Sequence, residues 1–200
     1  LKSTASRIAL AIARLQRQEN ANELAMHDPL TGMANRRLMK IMLAKSFAMS
    51  KRTGDPFSLI MLDLDFFKKY DDSFGHTSGD RLLVEIAALI DDEIREVDLA
   101  VRYGGEEFLL ILPDTDLQAA HEVAERIRAR TEATRFDCAD SMTTKGITLS
   151  LGVVTWDEDV SDENIMVTRA DTALYLAKSK GRNRVESWID REPMTGANSL

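Results

Sequence analysis

The chain has 200 residues, a formal net charge of −7 and a pI near 5.1, which argues against a basic surface for a nucleic-acid polymer. A single cysteine, Cys138, excludes an internal disulfide, and three scattered histidines offer no zinc-like cluster. No apolar run reaches the roughly 18 residues of a membrane span, and Leu1 opens the chain without a signal-peptide pattern. We therefore expect a cytoplasmic fragment of a longer protein. The fragment itself is expected to make no membrane contact, although the full-length protein could be membrane-attached.

Residues 1–25 are the first predicted element, a helix, because they contain no Pro or Gly and are rich in Ala, Leu, Arg and Gln. Its apolar stripe consists of Ile8, Ala11, Ile12 and Leu15. The stripe fits a surface helix packed on its own domain, but we favour a signalling or linker helix from an upstream domain, or a dimer stalk. We expect this helix to be followed by one folded domain over 26–188 and a tail over 189–200.

The rest of the chain alternates predicted helices and strands. A structured turn over 27–37 leads into a helix over 35–52, and the apolar run from Phe57 to Leu62, ending in Asp63, is typical of a buried central strand. The later elements are helices over 66–73 and 78–95, a hairpin over 98–112, a helix over 116–132, an irregular polar segment over 133–145, a strand over 147–156, a helix over 162–180 and a strand over 184–188. This order predicts a mixed sheet flanked by helices, an α/β (α+β) domain.

Paired carboxylates lie at the tip of the predicted hairpin, "VRYGGEEFLLILP". The two glycines suit the positive φ angles of a tight turn, but the turn does not need Glu106 and Glu107. Together with Asp63 at the end of the buried strand, they would make a hard-oxygen site of the kind that Mg²⁺ prefers. The alternative is that Asp63 and Asp65 cap the following helix, which is the favoured interpretation for Asp65.

Two further segments carry ligand-binding chemistry. "FGHTSGD" places glycines around His76 just before the long helix, and Asp80 could accept hydrogen bonds from the N–H groups of a guanine. A plain turn residue is the alternative for His76. "AKSKGRNRV" gathers basic side chains at the end of the last long helix, where the helix dipole alone explains them and where they could also bind a triphosphate.

Five blocks in order resemble one family, the GGDEF-domain diguanylate cyclases, over about residues 27–188. The blocks are "DPLTGMANRR", "DLDFFKKYDDSFGHTSGD", the signature loop in its "GGEEF" variant, "ITLSLGVV" and "ADTALYLAKSKGRNRV". The resemblance implies a palm-like fold, similar to nucleotide cyclases, with a mostly antiparallel sheet. It also implies a homodimer in which each subunit holds one GTP. In such a dimer the 3′-hydroxyl of each GTP would attack the α-phosphorus of the other GTP, giving cyclic di-GMP and two pyrophosphates. An upstream sensor would control the reaction.

The resemblance also assigns roles by position in this chain. Asp63, the carbonyl of Leu64, Glu106 and Glu107 would bind Mg²⁺, or Mn²⁺. Glu106 is also a candidate for the catalytic base, and the sequence does not separate the roles of the two glutamates. The remaining substrate contacts would be Lys68, Asp71, His76, Asp80, Gly104, Gly105, Lys178 and Arg182.

Two positions bear on specificity and regulation. Asp71 departs from the Asn usual in the family; an ionised Asp only accepts hydrogen bonds, so we expect guanine selection to rest on Asp80. "REVD", Arg95 to Asp98, resembles the RxxD site through which cyclic di-GMP inhibits its own synthesis, and an ordinary turn salt bridge is the alternative.

Rival functions are a catalytically silent module that senses GTP or cyclic di-GMP, and a cyclase or dinucleotide synthase that uses ATP. The second of these rests on Asp71. Because Asp63, Glu106 and Glu107 are all present, the sequence favours the diguanylate cyclase.

Overall fold

The computed structural model describes residues 26–137, 143–144 and 146–189. Its helices are α1 (Arg36–Thr53), α2 (Phe67–Phe74), α3 (His76–Glu93), α4 (Leu117–Ala133) and α5 (Glu163–Ser179). Its strands are β1 (Phe57–Leu64), β2 (Leu99–Arg102), β3 (Glu107–Pro113), β4 (Phe136–Asp137), β5 (Thr143–Thr144), β6 (Leu149–Thr155) and β7 (Val185–Ser187). The predicted helix over 1–25, residues 190–200 of the predicted tail and Cys138 lie outside these ranges. Within the ranges, no helix is long and apolar enough to cross a membrane.

β1 is the central strand of a five-stranded sheet with the order β2-β3-β1-β6-β7. All of its residues are buried, as the apolar run predicts. It pairs antiparallel with β3 and β6, β2 pairs antiparallel with β3, and β6 and β7 run parallel. The prediction of a mixed, mostly antiparallel sheet flanked by helices is confirmed.

The irregular segment predicted over 133–145 is wrong in part, because β4 and β5 form a separate antiparallel pair there. Each of these strands has two residues. Such short strands produce no alternating pattern that a sequence reading can detect.

Helices cover both faces of the sheet. Ile60 and Leu62 of β1 belong to a hydrophobic core that includes residues of α3 and α4, whereas Leu59 and Met61 belong to a second core with residues of α1 and α5. Successive side chains on a strand point to opposite faces, so Asp63 lies on the same face as Leu59 and Met61. The end of β1 therefore presents a carboxylate toward α5.

The junction between α2 and α3 differs from the prediction. The glycine–histidine segment was expected to precede a helix starting near residue 78, but α3 begins at His76. Gly75 adopts φ 82°, a left-handed conformation that lets the chain turn directly from one helix into the next. His76 and Asp80 consequently lie four residues apart on one face of α3.

β6 and α5 approach each other closely at Gly152. A Cβ atom at this position would overlap backbone atoms of Ala170 and Leu174 in α5. Because α5 carries Lys178 in its last turn, the placement of that lysine depends on a residue without a side chain in β6.

An acidic side chain at the end of α3 makes the stability of the domain depend on pH. Glu93 accepts hydrogen bonds from Arg126 and Arg130 of α4, and Asp92 pairs with Arg130 at 2.9 Å. The bond from Arg130 and the contacts with Arg126 outweigh burial, so the pKa of Glu93 lies below its usual 4.5. A depressed carboxyl pKa contributes stability that is present above the unfolded pKa and is lost as the pH falls through the folded one.

We therefore expect the Glu93→Gln variant to be less stable than the parent at neutral pH and to lose less stability on acidification below about pH 4.5. Urea unfolding at a series of pH values measures both effects. Glu158→Gln, at an exposed loop position, serves as the control and should reproduce the pH profile of the parent. A Glu93→Gln profile parallel to that of the parent would contradict the assignment.

Candidate active site

Three carboxylates meet at one end of the sheet. Asp63 is the cross-strand partner of Glu107 in the β1–β3 pairing, and the N–H of Leu64 donates to the carbonyl of Glu106 at 3.4 Å. The hairpin therefore holds its two glutamates beside the end of the buried strand, as the sequence predicts.

The glycines at the hairpin tip do not adopt the backbone conformation that the sequence predicts for them. Neither Gly104 nor Gly105 adopts a positive φ angle. The turn closes instead through Tyr103 and Gly104, whose N–H groups donate to the carbonyl of Glu107 at 2.8 and 3.2 Å. A Cβ atom on Gly104 would come 2.8 Å from a carboxylate oxygen of Glu107, so the end of that flexible side chain would have to shift.

An ion pair that the sequence analysis missed ties this hairpin to the turn before α1. Arg102 donates to the carbonyl of Gly105 at 2.9 Å and to Asp28 at 3.0 Å. Burial raises the pKa of Asp28, but hydrogen bonds from Thr31 and Arg102 outweigh this effect and hold it below its usual value. Ala34, in the same turn, forms a parallel bridge with Val101 of β2. Asp28 and Arg102 both lie in motifs identified in the sequence, but no sequence pattern indicates that they form an ion pair.

The electrostatics of the carboxylate cluster favour a cation. Burial raises the pKa of Asp63 even though Lys178 lies 2.7 Å from its Oδ2. Burial also raises the pKa of Glu106, and repulsion from Asp63 and Glu107 raises it further. These carboxylates carry more negative charge than the one lysine neutralises, which a divalent cation would relieve.

The donor set fits a divalent metal of the magnesium type. In the described part of the chain, no three His, Cys, Asp or Glu side chains form a cluster able to hold a metal ion by themselves. Mg²⁺ usually takes only one or two carboxylates and completes its coordination with water and substrate phosphates. Hard carboxylate oxygens beside the basic side chain of Lys178 match that preference.

Basic side chains follow α5 on the same side of the sheet. Lys178 lies in the last turn of the helix, and Gly181 continues the chain with φ 112°. Arg182 adopts φ 64° and places its guanidinium 4.7 Å from the centre of the Phe66 ring. Lys68 is exposed on α2. The structure thus brings Lys178 and Arg182 to the end of β1.

The predicted nucleoside contacts lie at the α2–α3 junction. Nδ1 of His76 is 2.6 Å from Oδ2 of Asp71, and Asp80 is exposed one turn further along α3. A Cβ atom on Gly79 would overlap the Asp71 carboxylate, so this glycine makes room for the aspartate. Asp71, which replaces the expected asparagine, therefore has a histidine partner in the structure.

Neither of the aspartates suggested as helix caps performs that function. Phe66 occupies the N-cap position of α2, with no side-chain hydrogen bond to the helix. Asp65 instead accepts hydrogen bonds from Thr148 and Ser150, each at 2.7 Å, and from the backbone N–H of Asn183 at 3.0 Å. The capping interpretation is wrong for Asp65 because its side chain points toward Thr148, Ser150 and Asn183 and not toward the first turn of α2.

The RxxD residues form an ion pair in the structure. Asp98 Oδ2 accepts from the backbone N–H of Arg95 at 2.8 Å and from its Nε at 3.3 Å, and Arg95 also donates to Thr115 at 2.7 Å. The Asp98 side chain is 1% exposed, and its Oδ1 has no hydrogen-bond partner among the described residues. The arginine side chain is 56% exposed, so it is accessible to a ligand.

Carboxylates at one end of a mostly antiparallel sheet, with basic residues following a neighbouring helix, define a palm-like domain of the class that includes nucleotide cyclases. The sequence matches the family described as diguanylate cyclase, GGDEF domain, over residues 25–184. The chain therefore belongs to the GGDEF family.

Similar proteins agree with this assignment. The response regulator PleD of Caulobacter vibrioides is 41% identical over 167 residues, which cover 84% of this chain and 37% of PleD. Diguanylate cyclase DosC of Escherichia coli is 35% identical over 188 residues, which cover 94% of this chain and 40% of DosC. The chain thus spans about two fifths of the length of these relatives. The coiled coil and GGDEF domain of DgcB from Caulobacter crescentus, solved with c-di-GMP, has a TM-score of 0.85 at 29% identity and covers 92% of this chain and 99% of that one.

Proposed function

We propose that this chain is the catalytic part of a diguanylate cyclase, which condenses two GTP molecules into cyclic di-GMP and releases two pyrophosphates. The observation that carries the proposal is the convergence of Asp63, Glu106 and Glu107 beside Lys178 at the end of β1. Enzymes that act on nucleoside triphosphates use acidic side chains to hold metal ions and basic side chains to neutralise the phosphates.

Asp63, the carbonyl of Leu64, Glu106 and Glu107 would hold Mg²⁺, or Mn²⁺, which supplies Lewis-acid chemistry at the phosphate and at the attacking hydroxyl. The raised pKa of Glu106 suits a group that accepts a proton from the 3′-hydroxyl. Glu107, which is the first residue of β3, would keep the hairpin carboxylates beside Asp63.

The remaining side chains would bind GTP. Lys178, Arg182 and Lys68 would neutralise the triphosphate, and Gly104 and Gly105 would let it pass over the hairpin tip. Asp71, His76 and Asp80 would contact the nucleoside at the α2–α3 junction. Asp80, which is exposed on α3, would accept from the guanine N–H groups.

The reaction requires two copies of the domain, because one copy holds one of the two substrates. We propose a homodimer in which the domain over 26–188 acts in the cytoplasm, where GTP is available. Residues 1–25 would connect it to an upstream sensor and help bring two copies together. Effective positioning of two bulky substrates would supply much of the rate enhancement.

Chromatography of nucleotides tests the proposal after the purified chain is incubated at high concentration with GTP and Mg²⁺. We expect cyclic di-GMP and pyrophosphate. If no product forms, the chain is fused to a dimeric coiled coil and assayed again. Continued absence of product would replace the cyclase by a silent module that binds GTP or cyclic di-GMP.

Competition between GTP and ATP tests the rival function that rests on Asp71, a cyclase or dinucleotide synthase that uses ATP. Preferential use of ATP would support that rival.

Product inhibition through Arg95 and Asp98 is part of the proposal. The exposed guanidinium can bind a guanine edge or phosphate of cyclic di-GMP in a bidentate manner, and the buried Asp98 orients it. We expect Arg95→Ala to raise the cyclic di-GMP concentration that halves the initial rate by at least about tenfold, with the uninhibited rate unchanged. Lys51→Ala, an exposed basic residue on α1, is the control. Equal inhibition of Arg95→Ala and the parent would exclude this site.

A further inference from the structure

Asp65 is a buried carboxylate without a cationic partner in the described part of the chain. It is 6% exposed, and its three hydrogen-bond donors are the neutral groups of Thr148, Ser150 and Asn183. A buried carboxylate is costly unless it is hydrogen-bonded, and these three donors offset that cost. None of the roles proposed above uses this side chain.

The bond from Asn183 to Asp65 joins two segments that carry ligand-binding residues. Asp65 immediately precedes Phe66, and Asn183 immediately follows Arg182. Linking Asp65 to Asn183 therefore sets their neighbours opposite each other, where the Arg182 guanidinium lies 4.7 Å from the Phe66 ring centre. Two residues before Asp65, Asp63 makes its 2.7 Å contact with Lys178.

The segment that Asp65 holds has an unfavourable backbone conformation. Arg182 and Asn183 adopt φ angles of 64° and 46°, a left-handed region that non-glycine residues rarely occupy. Such a conformation persists only where surrounding contacts stabilise it. On the other side, the Asn183 side chain accepts from Arg128 and donates to Glu132 of α4, both at 2.8 Å.

We infer that Asp65 is a positioning residue for the triphosphate: through the N–H of Asn183 it fixes Arg182 over Phe66, in register with Asp63 and Lys178. This inference rests on the proposed function. Asp65 touches no substrate in this scheme, and it acts on GTP binding through the orientation of Arg182. The guanine contacts, on α2 and α3, do not depend on it.

The test compares the affinities of Asp65→Ala and the parent for a non-hydrolysable GTP analogue and for GMP, by calorimetry with Mg²⁺. We expect Asp65→Ala to weaken the GTP analogue about tenfold and GMP less than twofold, because only the outer phosphates need Arg182. In an Arg182→Ala background, Asp65→Ala should cause no further loss. Equal losses for both ligands, or full additivity, would overturn the inference.

Asp65→Asn separates positioning from general stability. Its amide oxygen can accept from Asn183 and Thr148, while its NH₂ can donate to the Ser150 hydroxyl, so we expect analogue affinity within about twofold of the parent.

Ser58→Ala is the matched control, since it removes a buried hydroxyl that lies near the other end of β1. That hydroxyl donates to the carbonyl of Thr115 at 2.8 Å. Ser58→Ala should lower stability without changing either affinity. A loss of analogue affinity in Ser58→Ala comparable with that in Asp65→Ala would contradict positioning.

Two further measurements keep the inference testable. If Asp65→Ala does not fold, Thr148→Val removes the other donor to Oδ2 of Asp65 and should show a smaller loss of affinity that is still selective for the GTP analogue. A non-selective loss of affinity would count against the inference.

If the parent binds no GTP analogue, the proposed function fails. Amide hydrogen exchange at Asn183 then still reports on the structure, because it should accelerate in Asp65→Ala and not in Ser58→Ala. Unchanged exchange in Asp65→Ala would overturn the positioning role.

Discussion

The Glu106→Gln variant is expected to form cyclic di-GMP at less than about one hundredth of the rate of the parent chain. The substitution keeps the shape of the side chain but removes its charge and its ability to accept a proton from the 3′-hydroxyl. Because burial and its acidic neighbours raise the pKa of Glu106, the ionised form is unfavourable in the folded state. Loss of that charge should therefore leave the domain at least as stable as the parent.

Initial rates of product formation and thermal unfolding measure the two effects of Glu106→Gln. Glu158→Gln removes a carboxylate from an exposed loop and should retain the parent rate. Glu107→Gln tests the division of roles between the two glutamates. Retention of more than about a tenth of the parent rate in Glu106→Gln would remove it from the chemistry and leave Glu107 as the candidate base.

The Gly152→Ala variant is expected to lose about 3 kcal/mol or more of unfolding free energy, at the upper end of overpacking effects. The added methyl group would overlap the backbone of α5, which cannot rotate away as a side chain can. To relieve the overlap, α5 must move off the sheet together with Lys178, so GTP affinity should fall as well. Guanidinium unfolding and calorimetry with a GTP analogue measure both changes.

Gly105→Ala provides the comparison for stability. Nothing lies within 4 Å of a Cβ atom at Gly105, and its φ angle is not positive. Its unfolding free energy should stay within about 0.5 kcal/mol of the parent. If Gly152→Ala proved equally harmless, α5 would have to pack more loosely on β6 than the structure shows.

The sequence predicts those features that depend on local pattern. The almost unbroken apolar run of β1 identifies the central strand, and the glycine pair between two apolar runs identifies the hairpin. Antiparallel pairing of these two elements, in the register that the structure shows, brings Glu107 opposite Asp63. The basic cluster after α5 is visible as composition, and its placement beside Asp63 follows from the order of the sheet.

Features that depend on contacts between distant segments could not be predicted. Asp65 has the sequence context of a helix cap, and its real partners lie 83 to 118 residues away along the chain. Gly152 looks like any glycine in a strand until α5 is placed above it. The sequence predicts positive φ angles for the tip glycines, and neither Gly104 nor Gly105 adopts one. For Asp65 and Gly152 the determining neighbour is remote in sequence, whereas the conformation of the tip glycines is set by the local geometry of the turn.

The turn before α1 also affects how copies of this sheet can associate. Edge strands present unpaired N–H and C=O groups that can recruit a strand from another chain. Here one edge strand, β2, has four residues and receives Ala34 on its outer side, where the backbone N–H of Arg102 donates to the Ala34 carbonyl at 2.9 Å. The opposite edge strand, β7, has three residues. With one edge partly covered and the other short, the sheet is poorly suited to self-association by strand addition.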